Sequence, residues 1–157
     1  MKLTPLENQL IQKHLHGLAD TPEAARMKQY IQHGRVSTYD HVISVARLSL
    51  LINHRLHLGA CDRELVRGAF LHDFYLYDWH KNGYAGRLHG LHHPAAALKN
   101  ASMRYSLTPC ESNIIESHMW PLTLFHIPRC RAAAIVCLAD KICSSFEVLA
   151  RTNSFSC

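Results

Sequence analysis

Long hydrophobic runs are missing from this 157-residue chain. Nothing approaches the roughly 20 consecutive apolar residues that a membrane-spanning helix needs. The opening residues MKLTPLENQL also lack the apolar core of a secretory signal, so a cytoplasmic protein is expected. No CxxC pair occurs among Cys61, Cys110, Cys130, Cys137, Cys143 and Cys157. That excludes zinc-finger spacing and points to reduced thiols on apolar helix faces rather than a disulfide framework. Runs of Lys or Arg are absent as well. The 17 basic residues outnumber the 12 acidic ones, but Arg47, Arg55, Arg63, Arg67, Arg104 and Arg129 are scattered. Such scatter marks a mildly basic surface rather than a nucleic-acid arm, and its field favours phosphorylated small molecules. No alternating Val or Ile segment of useful length is present, which argues against a sheet. Repeats, low-complexity tracts and linkers are lacking too.

Helix starts, by contrast, recur. Thr4-Pro5-Leu6-Glu7 and Thr108-Pro109-Cys110-Glu111 each combine a Thr N-cap, a first-turn Pro and a Glu at the third helical position, the pattern of a capping box. Thr21-Pro22-Glu23 is a looser version, and Asp62 is a candidate cap. Further helices are expected over 37–58, 94–104 and 128–150, with DWHKNGYAGRLHGLHH as the longest irregular stretch. The chain therefore reads as all-α, a single domain over 1–157 built as a bundle of about six or seven helices.

Thirteen histidines are many for this length. In GAFLHDFYLYDWH, His72 falls on an apolar stripe with Leu65, Ala69 and Leu76, and Asp73 stands beside it. A buried carboxylate is costly unless a cation or hydrogen bonds compensate it, so this pair needs partners. His41 shares a stripe with Val45, Leu48 and Ile52. His118 follows Ile114 and Ile115 by four and three residues, and Asp140 lies on the face of Ala133, Val136 and Cys137. Each residue alone is ordinarily a hydrogen-bonded core group. Together, His41, His72, Asp73 and Asp140 make a mixed N/O set suited to iron, manganese, zinc or cobalt.

His41, His72-Asp73 and Asp140 resemble the H…HD…D pattern of the HD-domain superfamily, an all-helical family of mostly phosphohydrolases. The contexts DHVISVARLSLLI, GAFLHDF and CLADKI are similar to that family's motif helices, and the order matches across 34–150. The resemblance implies an HD core over about 34–150 with N-terminal helices of 4–33 packed on it. In the dinuclear branch two more histidines intervene, and His93 and His118 match them in order. It then implies that His41, His72, Asp73 and Asp140 hold one metal while Asp73 bridges to a second held by His93 and His118. His89 and His92 stand close enough to His93 to compete for that role. Iron and manganese are the foremost expectations, with zinc, cobalt, nickel or magnesium as alternatives. Asp73 and His72 are the expected catalytic pair, activating water against a phosphate ester or anhydride of a nucleotide-like substrate.

The departures from known branches are specific. Phe74-Tyr75-Leu76-Tyr77 follows the HD pair, so the lysine of HDxxK forms and the acidic pair of HDxxED forms are absent, as is a GYP motif. Met119 stands where a second histidine often follows His118. Small dinuclear HD proteins such as the symmetrical diadenosine tetraphosphate hydrolases have the most similar ligand order. Arg35, Lys141, Tyr77 and Trp120 are candidate substrate contacts, the first two for phosphate and the aromatics for a stacked base. Tyr75, Trp79 and Tyr84 belong to the same aromatic group. Asp78 and His80 are candidates for proton transfer, and His126 for an extra ligand or proton donor. His14, His16, His33, His54 and His57 show no partner pattern and are expected at the surface. A non-catalytic metal- or nucleotide-binding sensor is the alternative function, and a di-iron oxygenase a weaker one. No membrane partner is expected, and the sequence is silent on oligomeric state.

Overall fold

Helix α1 (Pro5–Leu15) starts where the Thr4 hydroxyl accepts from Glu7 N and the Glu7 carboxylate accepts from Thr4 N, the reciprocal capping box read from the sequence. The computed structural model describes residues 2–33, 35–80 and 83–152, excepting the side chains of 33, 83–87 and 151–152. The further helices are α2 (Pro22–Met27), α3 (Thr38–Arg55), α4 (Asp62–Leu71), α5 (Gly83–Ser102), α6 (Pro109–Ser117) and α7 (Arg131–Thr152). One small antiparallel pair, β1 (Ile31–His33) and β2 (Val36–Ser37), precedes α3, with Ile31 opposite Ser37 and His33 opposite Val36. The fold is all-α, as expected, with seven helices among the described residues. None of these helices is long and apolar enough to cross a membrane.

Helix α4 is the central element, packed against α1, α3, α6 and α7. Its Leu65, Val66, Ala69 and Phe70 are fully buried, and α1 and α2 pack on α3 from the N-terminal side. Gly68 allows the close crossing of α4 and α6. A Cβ there would lie 3.1 Å from both Cβ and Cγ2 of Ile114 and nearer still to Cδ1. Helices α4 and α6 end at the same level, with His72 and His118 as their C-cap residues. Glu111 repeats at α6 the capping box of Glu7, and each glutamate serves twice. Arg55 of α3 donates to Glu7 Oε1 at 2.7 Å, and Arg67 of α4 donates to Glu111 Oε1 at 2.6 Å.

Several boundaries differ from the sequence expectation, each for a physical reason. Cys61, not Asp62, is the N-cap of α4; Asp62 is its first residue, and its carboxylate instead meets Asn53 and His54. The stripe through Leu76 predicts a longer α4, but the helix stops at Leu71. The Asn100 amide donates to the carbonyls of Phe74 and Tyr75 at 3.1 and 2.9 Å, and Leu76 takes a left-handed φ of 60°. The stretch read as irregular before Pro94 is helical from Gly83, so Pro94 lies inside α5 and His93 is not at its start. Pro94 has no N–H for the Gly90 carbonyl one turn earlier, a local defect that α5 tolerates. His54 is half-buried between Glu7 and Asp62 rather than a surface residue. Cys61, Cys110, Cys130, Cys137 and Cys143 are free thiols.

Candidate metal centre

Five elements bring six side chains to one buried point. His41 comes from the first turns of α3, His72 and Asp73 from the turn ending α4, His93 from α5, His118 from the end of α6, and Asp140 from α7. Their side chains are nearly or wholly removed from solvent. His41, His72 and Asp140 form one compact trio of candidate ligand atoms, and His72, Asp73 and His118 another, with the atoms of each trio within 4.8 Å of one another.

The histidine rings are oriented by their own secondary structure. Nδ1 of His72 lies 2.6 Å from Ala69 O, Nδ1 of His118 2.8 Å from Ile115 O, and Nδ1 of His93 2.9 Å from His89 O. A carbonyl only accepts, so each Nδ1 carries the proton and each Nε2 is turned towards the cluster. His41 does the same with a carboxylate: its Nδ1 lies 3.0 Å from Glu147 Oε2. This is the outer-shell arrangement that fixes the tautomer of a metal-ligating histidine.

The Nε2 atoms divide between the two oxygens of Asp73. Oδ2 lies 3.4 Å from His72 and 3.7 Å from His41, while Oδ1 lies 3.1 Å from His93 and 3.6 Å from His118. Asp140 Oδ1 is 3.1 Å from His41 Nε2 and 3.8 Å from His72 Nε2. The Nε2 atoms of His93 and His118 face each other at 2.7 Å. With both Nδ1–H groups already committed, these nitrogens need a cation between or beside them, either a proton or a metal ion. His72 Nε2 and Asp73 Oδ1 are buried without a hydrogen-bond partner. Two buried lone-pair atoms left open in a centre of imidazoles and carboxylates are what an inner-sphere ligand set requires, so the residues fit a divalent metal.

The electrostatics follow from the same contacts. Burial opposes charge on His41, but the bonds to Asp140 and Glu147 outweigh it and raise the ring to about 9. His72 is likewise raised well above its usual value, burial being overcome by Asp73 and Asp140. His118 is held down to about 3 by burial and by the neighbouring rings of His93 and His72. Asp73 and Asp140 both sit below the usual carboxylate range despite their burial. His72 and His93 hold Asp73 ionised, and His41 and His72 hold Asp140 ionised.

Two further residues, Gln32 and Glu147, complete the centre and were not found by sequence reasoning. Gln32 of β1 donates through Nε2 to Asp73 Oδ2 at 2.6 Å, while its Oε1 accepts from the hydroxyls of Tyr75 and Thr38. Those two donors fix which way the amide points. Glu147 is seven residues after Asp140 on α7, and a search for acids two turns along that face would have found it.

A cavity of about 710 Å3 opens onto the centre. Asp73, His93, His118 and Asp140 line one part of it, and Trp79, Gly90, Met119, Pro121 and Leu122 another. Among the substrate candidates, Lys141 lines the cavity, but its ammonium donates to His118 O at 3.0 Å and Cys137 O at 3.4 Å. Tyr77 meets His89 Nδ1 through its hydroxyl and thus supports the wall from behind. Trp120 is partly exposed outside the lining set, and Arg35 is exposed, also outside it. Asp78 accepts from His80 N at 3.1 Å, and His126 pairs with Glu116 at 3.1 Å; neither reaches the centre. Of the three neighbouring histidines, His93 brings its Nε2 to Asp73, His92 is exposed, and His89 stacks behind His93 at 4.5 Å. Tyr84 and His33 have side chains outside the described set.

Comparison with protein-family models, with curated proteins and with solved structures finds no match to this chain.

Proposed function

We propose that this chain is a metal-dependent phosphohydrolase of the HD type, cleaving a phosphate ester or anhydride of a nucleotide-like substrate with activated water. The observation that carries the reading is the shared direction of four imidazole Nε2 atoms, each ring pinned at Nδ1, towards the carboxylates of Asp73 and Asp140. His41, His72, Asp73 and Asp140 would hold one divalent ion, and Asp73, His93 and His118 a second. Iron or manganese is the first expectation for both. Such ions supply Lewis acidity towards a phosphoryl oxygen and lower the pKa of water.

The chain's own residues do the rest. Asp73 turns Oδ2 towards His41 and His72 and Oδ1 towards His93 and His118, and Gln32 restrains that carboxylate by donating to Oδ2. Glu147 keeps the His41 ring turned inward. The burial of these side chains strengthens each charge interaction among them.

The test is metal analysis of protein purified without oxygen or chelator, beside Asp73→Ala, followed by a phosphate-ester screen. About two ions per chain, lost in the variant, with metal-dependent release of phosphate, is the expected result. Purified protein that takes up no metal even on reconstitution would overturn the reading. One ion per chain would assign His93 and His118 to packing, and an oxygen-sensitive coloured centre without hydrolysis would favour the di-iron oxygenase.

A further inference from the structure

We infer that this chain pairs with a second copy of itself about a two-fold axis, through the loop that joins α6 to α7, with Phe125 as the anchor of the interface. The loop leaves a dense set of large apolar side chains in water. Trp120, Leu122, Leu124, Phe125 and Ile127 are all exposed, Leu124 at 68% and Phe125 at 91%, the highest among the described large apolar residues.

The backbone beneath them is tied down. Leu122 N donates to Met119 O at 2.9 Å and His126 N to Thr123 O at 3.1 Å, so the loop is built from successive turns. Asn113 Nδ2 donates to Ile127 O at 3.3 Å, which fastens the loop to α6. Cys137 Sγ donates to Trp120 O at 3.3 Å, which fastens it to α7. Leu138, the next residue of α7, is exposed as well and extends the apolar face. Pro121 and Leu122 also line the cavity, so this face borders the entrance to the metal centre.

Its size and its charge both point to a second copy. At ~100 Å2 for each aliphatic side chain and for the partly covered Trp120, and ~200 Å2 for Phe125, the six side chains offer about 700 Å2. Exposed Pro121 and His126 bring the face to about 800 Å2. The largest apolar patch of an ordinary monomer is about 300–600 Å2, whereas a standard interface takes ~800 Å2 from each partner. An anionic lipid surface or a nucleic acid would call for a basic rim. Between Arg104 and Arg129 the sequence holds no Lys or Arg, and His126 is paired with Glu116 at 3.1 Å. Each copy carries a formal net charge of +5, so two copies approach best where cations are fewest. A two-fold axis sets the patch against itself, apolar on apolar, and needs no complementary surface elsewhere on the molecule.

Sedimentation equilibrium of the full chain tests the pairing. The expected result is a monomer–dimer equilibrium with a Kd of about 1 µM or tighter, within the range of interfaces of this size. Phe125→Glu should weaken it about 30-fold or more, the loss of an aromatic anchor. Because Phe125 is almost wholly exposed, the variant should keep the parent's far-ultraviolet circular dichroism. Leu124→Glu should weaken the dimer too, while Leu6→Glu, as exposed but on α1, should leave it unchanged. A chain still monomeric at about 100 µM would overturn the inference. So would a dimer indifferent to both loop variants, one weakened equally by Leu6→Glu, or open-ended association. A monomer that instead co-sediments with phosphatidylserine-containing vesicles, and loses that binding in Phe125→Glu, would assign the face to a membrane and overturn it as well.

Discussion

Replacing Gly68 with Ala adds one methyl group where α4 crosses α6, and the consequence can be worked from the contacts. The new Cβ would sit 3.1 Å from Cβ and Cγ2 of Ile114, closer than ordinary van der Waals contact, and closer again to Cδ1. Ile114 is fully buried and β-branched, so its χ1 has little freedom to move aside. Overpacking of this kind costs about 1–3 kcal/mol, and the better helix propensity of Ala over Gly returns up to about 1 kcal/mol. The net expectation is a loss of about 1–2 kcal/mol, or a fall of several degrees in Tm at ~2–4 °C per kcal/mol for a chain of this size. The same wedge parts the ends of α4 and α6, which hold the rings of His72 and His118 4.8 Å apart, so metal affinity should fall as well. Ile114→Val removes Cδ1, the nearest atom. The double variant should therefore be more stable than the sum of its single changes by roughly 1 kcal/mol. Thermal denaturation and metal titration of the four proteins decide it. Strict additivity, or a Gly68→Ala protein more stable than the parent, would refute the crossing described here.

Stripping metal from the native protein should lower Tm by about 10 °C, the linkage expected when metal is bound at ~100–1,000 times its Kd. An Asp73→Asn protein should show no such shift in differential scanning calorimetry. Glu147→Gln should weaken metal binding by about 10–100-fold with little change in the far-ultraviolet circular dichroism, because it loosens His41 without unpacking α7. The Glu7 carboxyl is lowered to about 2, foremost by its bond from Arg55. A depressed acid adds stability above its unfolded value of about 4.3 and loses it as pH falls towards 2. Glu7→Gln should thus be less stable than the parent at pH 7, and denaturant titrations should converge as the pH falls below 4. Lys141→Met should destabilise the chain by about 1–3 kcal/mol in denaturant melts, through the loss of the ammonium's bond to the His118 carbonyl at the end of α6.

The parts of this protein that were legible in the sequence are those encoded by local periodicity. Thr4-Glu7 and Thr108-Glu111 announced two helix starts because a capping box is complete within four residues. His41, His72, His118 and Asp140 announced themselves as chemistry-bearing residues on otherwise apolar stripes. What escaped depended on distant partners. Helix α5 extends back to Gly83 through Gly, Pro and three histidines, a composition with weak helical preference that packing against α6 overrides. The stop after Leu71 depends on Asn100, and nothing between positions 72 and 76 foretells it. Gln32 lies in a three-residue strand too short to have a period, and its importance comes from Asp73, 41 positions later. Trp79, the wall of the cavity, read as one aromatic among several because its stacking on His89 requires the fold.

The double use of Glu7 and Glu111 has a consequence for how this molecule comes apart. Each carboxylate ends one helix's frayed turn and at the same time clasps an arginine from a different helix, so a local bond and a long-range one share the same group. The start of α1 cannot loosen without releasing Arg55 from α3, nor the start of α6 without releasing Arg67 from α4. Fraying and undocking become one event, which leaves the bundle few half-unfolded forms in which proteases or aggregation partners could catch it.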